Sequence, residues 1–149
     1  MISRDEFKEG YINTVKIEHT YIANEEIKSI NNAFFESILL LLKSNISCVA
    51  ESAFQHKLWL SQYEALSEKA AVKLLICRTD KVIANRRFLD RKNEDPLREY
   101  FHGDSSISSE NDEYEYTPPQ FPVPVLEVDT TEGYKPNLEE IVFFIRKSG

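Results

Sequence analysis

Five of the chain's seven arginines, Arg78, Arg86, Arg87, Arg91 and Arg98, fall in one stretch, VKLLICRTDKVIANRRFLDRKNEDPLREYFHGD, Val72 to Asp104. A guanidinium is a planar, permanently charged fork of donors that matches phosphate and carboxylate oxygens in pairs. Gathered just after an apolar, strand-like run, such a set could hold an anion. The same spacing also fits plain pairing on a solvated helix face. Arg86 and Asp90 lie four apart, as do Arg91 and Asp95, and Arg87 and Asp90 lie three apart. Pairs of that kind contribute only about 0.2–0.5 kcal/mol each. Periodicity leaves both readings open, but in either one Arg87 and Arg91 share a helix face.

Other groups able to do chemistry sit at the C-terminal ends of predicted strands, where α/β proteins keep their sites. They are Asp5, Glu51, Arg78 and the run Asp129-Thr130-Thr131. Asp5 reads equally as a helix N-cap, and Glu51 as a strand terminator or a cap for the following helix. His102 is as consistent with a surface histidine as with a site. His19 and His56 have no suitably spaced partners, which argues against zinc. No GxSxG, HExxH or EF-hand pattern occurs. The four glycines, Gly10, Gly103, Gly133 and Gly149, lie outside any GxxxxGK(S/T) or GxGxxG context, so no backbone cradle for a nucleotide's phosphates is visible.

The elements that must position these groups alternate. Met1 to Gly10 reads as a strand tail or loop entering a helix capped by Ser3 or Asp5; Asn13 to Ala23 is ambiguous. Ile27, Ile30, Phe34, Ile38 and Leu41 recur with helical period, and that helix ends near Lys43-Ser44-Asn45. Ser47 to Ala50 is a short buried strand, and Trp59, Tyr63, Leu66 and Ala70 mark a second helix. Val72 to Cys77 is a strand apolar enough to be covered on both faces, with Thr79 capping the arginine-rich helix. Asp95-Pro96 opens a further short helix. Residues 103–120, with four serines and five acidic residues, read as a mobile acidic loop. Val123 to Val128 is a last strand, and Asn137 with Glu140 starts a final helix whose Leu138, Ile141, Val142 and Ile145 face the sheet. Strands and helices alternating with crossovers of this length predict an α/β fold with a mainly parallel sheet.

Bulk properties narrow the function classes. A chain of 149 residues with 42% hydrophobic content fits a single domain, 1–149. Its net charge of −7 argues against wholesale binding of nucleic acid or anionic membrane, though not against a local basic cleft. Nucleic acid ranks last among partners because no aromatics interleave with the basic residues. Cys48 and Cys77 fall in apolar runs and read as buried thiols of a reducing compartment. The charged N-terminus lacks a signal-peptide core, and Ile38 to Leu42 is far shorter than the ~20 residues of a membrane span. The expectation is a soluble, cytoplasmic protein without a membrane partner.

Taken in order, the pieces resemble the P-loop small-molecule kinases of the zeta-toxin and chloramphenicol-phosphotransferase type, often described as AAA-like ATP-binding proteins. The matching segments are ISRDEFKEG, SCVAESAF, LLICRTD, the lid-like RRFLDRKNEDPLREYFHGD and the closing VPVLEVDTTEGYKPNLEEIVFFI. The resemblance implies a three-layer P-loop NTPase-like fold, ATP and Mg²⁺ as cofactors, and a small-molecule or nucleotide-sugar hydroxyl as acceptor. It implies that Asp5 takes the proton of that hydroxyl and that Glu51 lies near Mg²⁺ or the substrate. Arg87, Arg91 and Arg98 become lid arginines that neutralise charge on the transferring phosphoryl group, and His102 closes the lid motif on the cofactor side.

Against that family the chain lacks the first strand, the phosphate-binding loop and its helix. The family's first strand lies between the third and fourth, so its absence leaves strand edges that must pair with each other, pair with another chain or stay exposed. The expectation is a partial fold, open to self-association through its sheet edges and not binding ATP tightly as it stands. Its function is then that of a phosphotransferase fragment, inactive alone. The alternative is a non-catalytic module of the same fold that binds an anion or a protein.

Overall fold

The computed structural model describes residues 1–53, 56–95, 97, 100–101 and 120–147. Helix α2, Asn24–Lys43, organises them. It contains no glycine or proline, and its apolar stripe buries Ile30, Phe34, Phe35 and Ile38. Its start is fixed by Glu26, whose carboxylate accepts from the Ala23 amide at 2.7 Å. Its end is fixed at Ser44, followed by Asn45 in the left-handed region at φ 59°.

Two apolar clusters share this helix. On one side Phe34, Phe35 and Ile38 meet Trp59 and Leu66 of α3, His56–Ser67. The Trp59 ring stands edge-on to Phe35 at 5.0 Å and to Phe34 at 6.0 Å, a geometry that places ring edges against ring faces. On the other side Ile30 packs with Ile12 of α1, Arg4–Val15, and with Ile22. The region that was ambiguous in sequence resolves as the end of α1, Lys16 in a left-handed conformation, and a short 3-10 turn at His19–Tyr21.

The strands form two separate parallel pairs. β1, Ile2–Ser3, pairs with β2, Ala50–Glu51, in the register Ile2↔Ala50. β3, Leu74–Arg78, pairs with β4, Val125–Asp129, from Leu74↔Val125 to Arg78↔Asp129. The alternation and the parallel pairing follow the sequence pattern, but among the described residues the strands do not join into one continuous sheet. An apolar cavity of about 760 Å³ separates the pairs, walled by Val49 and Ala50 on one side and Val72, Leu74 and Leu75 on the other. Both walls are the approaches to their strands. The cavity thus lies near the beginnings of β2 and β3, which α3 connects along the chain.

Several expectations need correction. The predicted strand at Ser47–Ala50 gives way to Ala50–Glu51 and is not buried: Val49 is 52% exposed, because it precedes a two-residue strand that, among the described residues, pairs only with β1. β3 is not covered on both faces; Leu74 and Ile76 are buried while Cys77 and Arg78 are exposed. Cys77 is thus an exposed thiol and Cys48 a half-buried one. On the last helix, α5, Leu138–Arg146, only Ile141 is buried, and Leu138 and Ile145 are exposed because a two-stranded sheet is too narrow to cover that face. Its start is as expected: the Asn137 side chain accepts from the Glu140 amide and Glu140 accepts from the Asn137 amide, both at 3.0 Å. At its other end the Lys73 ammonium donates to the carbonyls of Phe144 (2.7 Å), Ile145 (3.0 Å) and Lys147, where the helix dipole is negative. Among the described residues no helix is long and apolar enough to cross a membrane.

Candidate active site

The arginine-rich segment forms α4, Lys81–Glu94. Its cap is Asp80, not Thr79: the Asp80 carboxylate accepts from the amides of Val82 (2.8 Å) and Ile83 (3.3 Å). The Thr79 hydroxyl is buried and, among the described residues, has no hydrogen-bond partner. Arg87 and Arg91, one turn apart, line a concavity of about 410 Å³ with Thr79, Ala84 and Asp90.

Side-chain contacts differ among these arginines. Arg86 pairs with Asp90 at 3.9 Å, as helix spacing allows. Arg87 instead donates to the Thr131 carbonyl at 2.9 Å, and the Arg91 Nε donates to the Arg87 carbonyl at 3.1 Å. Among the described residues neither forms the expected ion pair with Asp90 or Asp95. Both line the concavity, and a guanidinium has donors beyond the one each uses in these bonds.

The loop after β4 fixes this arrangement. The Thr130 amide donates to the Arg78 carbonyl at 2.7 Å, and the Asp80 amide donates to the Thr131 hydroxyl at 3.1 Å. The Asp129 carboxylate accepts from the Thr131 amide at 2.8 Å; that hydrogen bond, the Thr131 hydroxyl and nearby Lys135 hold its pKa below the usual carboxylate value. Arg78 reaches across the strands to Glu127 at 2.8 Å, which holds the Glu127 pKa low as well. Sequence reasoning marked Asp129-Thr130-Thr131 as a strand end but missed that Thr131 ties α4 to the sheet. The threonine pair directly after a strand was the available signal.

The acidic candidates sit on the other strand pair. Ser3 occupies the N-cap position of α1 without making a side-chain cap; its hydroxyl donates to Glu51 at 2.5 Å across the paired strands. Asp5 lies in the first turn of α1, half exposed and 3.6 Å from Arg4, whose Nε is held by Asn31 at 2.9 Å. Lys8, one turn further, is buried, and desolvation lowers its pKa despite the opposing pull of Asp5. Neither Asp5 nor Glu51 lines the concavity at Arg87 and Arg91. The candidates thus form two groups on two strand pairs, both at the C-terminal strand ends.

Arg98, His102 and residues 103–119 of the expected acidic loop lie outside the described residues. The Asp95 carboxylate accepts from the Leu97 amide at 3.0 Å, and the Phe101 amide donates to the Leu97 carbonyl at 3.3 Å; the rest of the expected short helix lies outside the described residues. Tyr100 and Phe101 then pack on the Ile12–Ile22–Ile30 cluster. The chain leaving α4 therefore returns to the α1 side.

The side chains present fit ATP only in part. Arg87 and Arg91 suit phosphate oxygens, and Asp5 and Glu51 offer carboxylates. The described strand ends carry no glycine-rich turn that would bring backbone amides to the other phosphates.

In fold the chain is similar to a solved protein of Chloroflexus aurantiacus J-10-fl described as a "putative kinase". The TM-score is 0.75 at 21% identity, over 97% of this chain and 81% of that one. The chain therefore shares the α/β fold of that protein. No family model matches the sequence, and no curated protein matches it.

Proposed function

We propose that this chain is the acceptor- and lid-bearing part of an ATP-dependent phosphotransferase of the P-loop small-molecule kinase type. The observation that carries the reading is the placement of two chemically opposite groups, Asp5 with Glu51 and Arg87 with Arg91, at the C-terminal ends of two parallel strand pairs in a kinase-like fold. In this reading Asp5 accepts the proton of a small-molecule or nucleotide-sugar hydroxyl, and Arg87 and Arg91 neutralise charge on the transferred group. Glu51 and, by resemblance, Arg98 and His102 serve the cofactor side.

The test is to place a strand–GxxxxGK(S/T)–helix unit ahead of Met1 and titrate the protein with Mg-ATP. Saturable binding supports the reading; no nucleotide binding by a folded protein removes it. A second reading, a non-catalytic anion-binding module, is favoured by one observation. The Arg87–Arg91 concavity is already formed by the chain alone. Salt-sensitive pyrophosphate binding without any added unit, combined with no nucleotide binding when the unit is supplied, would select it.

A further inference from the structure

An ammonium loses hydration on burial and needs an anion or hydrogen bonds in return. Lys8 of α1 is only 7% exposed. Among the described residues its ammonium makes no hydrogen bond and no ion pair. The charges acting on it are those of Asp5, Arg4 and Glu9. Arg4 is held from two sides, 3.6 Å from Asp5 and with its Nε donating to buried Asn31 at 2.9 Å. Lys8 has no such partner. Desolvation is the largest influence on it and lowers its pKa, with Arg4 adding to the effect and Asp5 and Glu9 opposing it.

Long side chains on a helix lean back over the preceding turn, and the turn before Lys8 carries Arg4 and Asp5. The ammonium tip is not enclosed: the enclosed, unpartnered side-chain atoms among the described residues belong to His19 and Thr79. A buried stem with an open, unpaired tip one turn from Asp5 is suited to a ligand's anion.

We propose that Lys8 binds an anionic group, a phosphate or a carboxylate, which the acceptor carries beside the hydroxyl presented to Asp5. The proposal rests on the reading of Asp5 as the base and narrows the acceptor to a phosphorylated or acidic alcohol. Residues three apart on a helix hold their Cβ atoms about 5–6 Å from each other, so anion and hydroxyl belong to one molecule and lie a few bonds apart. The place is distinct from the concavity at Arg87 and Arg91, which neither Lys8 nor Asp5 lines.

The test uses the whole chain carrying Arg87→Ala and Arg91→Ala, so that the other candidate anion site is removed. Inorganic phosphate and acetate are titrated separately. The Lys8 ε-methylene signals, identified by their loss in Lys8→Met, and the α1 amide signals are followed by NMR. At least one anion should shift both sets saturably. The pH titration of the ε-methylene signals should then move upward, because a bound anion favours the charged ammonium. A response to phosphate alone assigns a phosphorylated acceptor, and one to acetate alone a carboxylic one; with both, the tighter anion makes the assignment. Lys8→Met should weaken anion binding about tenfold or more, and Lys8→Arg should keep part of it. Methionine removes the buried charge, so the melting temperature should hold or rise.

No saturable shift with either anion, or unchanged affinity in Lys8→Met, would overturn the proposal. So would a large loss of stability in Lys8→Met, which marks a structural partner for the ammonium. Nucleotide binding by the chain joined to a strand–GxxxxGK(S/T)–helix unit, without an anion response at Lys8, leaves the kinase reading and removes this one. An anion response without nucleotide binding leaves Lys8 as an anion site and removes the kinase reading.

Discussion

The Arg87 guanidinium donates a 2.9 Å hydrogen bond to the Thr131 carbonyl, 44 residues away in sequence. This contact joins the arginine-bearing helix to the loop that leaves the last strand. Arg87 also lines the concavity it shares with Arg91. Arg87→Ala should therefore do two things. Pyrophosphate affinity of the chain should fall by about tenfold or more, in line with loss of a charge-assisted contact of roughly 1.5–3 kcal/mol. Stability should fall by no more than about 1 kcal/mol, since the contact is exposed. Arg91→Ala should reproduce the affinity loss with a smaller effect on denaturation. If both variants bind pyrophosphate like the parent, the concavity is a solvated helix face.

Asp80 and Thr79 are adjacent, yet their substitutions should differ in sign. Asp80→Ala removes the cap of α4 and should destabilise by about 1 kcal/mol, within the usual 0.5–2 range. Thr79→Val replaces a buried, unpartnered hydroxyl by a methyl of similar shape and should be neutral or stabilising. Urea denaturation of the two variants side by side decides which residue holds the helix.

The legibility of the chain followed the range of the interactions. Helix α2 was readable because its 3.6-residue stripe is local, and the Asn137–Glu140 box was readable because three residues separate its partners. The cap of α4 was misplaced by one residue because Thr79 and Asp80 are both good caps, and a contact across the fold, between the Asp80 amide and Thr131, helps set the turn. Burial of β2, Cys77 and the outer face of α5 was overestimated for one common reason. Apolar sequence signals that a surface is meant to be covered, whereas actual cover depends on a neighbouring strand that the described residues do not supply. Of the site, the strand-end positions of Asp5, Glu51 and Arg78 were legible. That Asp5 and Glu51 stand apart from Arg87 and Arg91 was not, because it depends on how the two strand pairs sit.

The Tyr11 hydroxyl donates to Glu26 at 2.6 Å, which links α1 to α2. The bond raises the Tyr11 pKa above its ordinary 10.0 and, with the Ala23 amide, lowers that of Glu26 below its ordinary 4.5. A lowered carboxylate value stabilises the fold above the unfolded-state pKa and loses that effect as pH falls through the folded value. A raised tyrosine value stabilises below the unfolded-state pKa and loses that effect as pH rises through the folded value. The stability difference between the parent and Tyr11→Phe should therefore be largest near neutral pH and shrink in both acid and alkali. A difference independent of pH would show that the phenol contributes only packing.

Phe34 is the most central side chain of the core, 1% exposed and edge-on to Phe7, Phe35 and Trp59. Phe34→Ala should destabilise by about 3–5 kcal/mol, and Phe34→Leu by clearly less. Thermal melts followed by Trp59 fluorescence would show both. Equal small effects would mean that this aromatic cluster does not hold α2 and α3 together.

We propose that Asp5 acts as the base of a phosphotransferase reaction once a phosphate-binding loop is supplied. This proposal is tested most directly by Mg-ATP turnover of the chain joined to a strand–GxxxxGK(S/T)–helix unit, compared with the same protein carrying Asp5→Asn. The joined protein should bind and turn over ATP. Asp5→Asn should lower kcat by about 10²–10⁴-fold while leaving nucleotide affinity nearly unchanged, as removal of a general base should. Equal turnover by the two proteins, or no nucleotide binding by a folded joined protein, would contradict it.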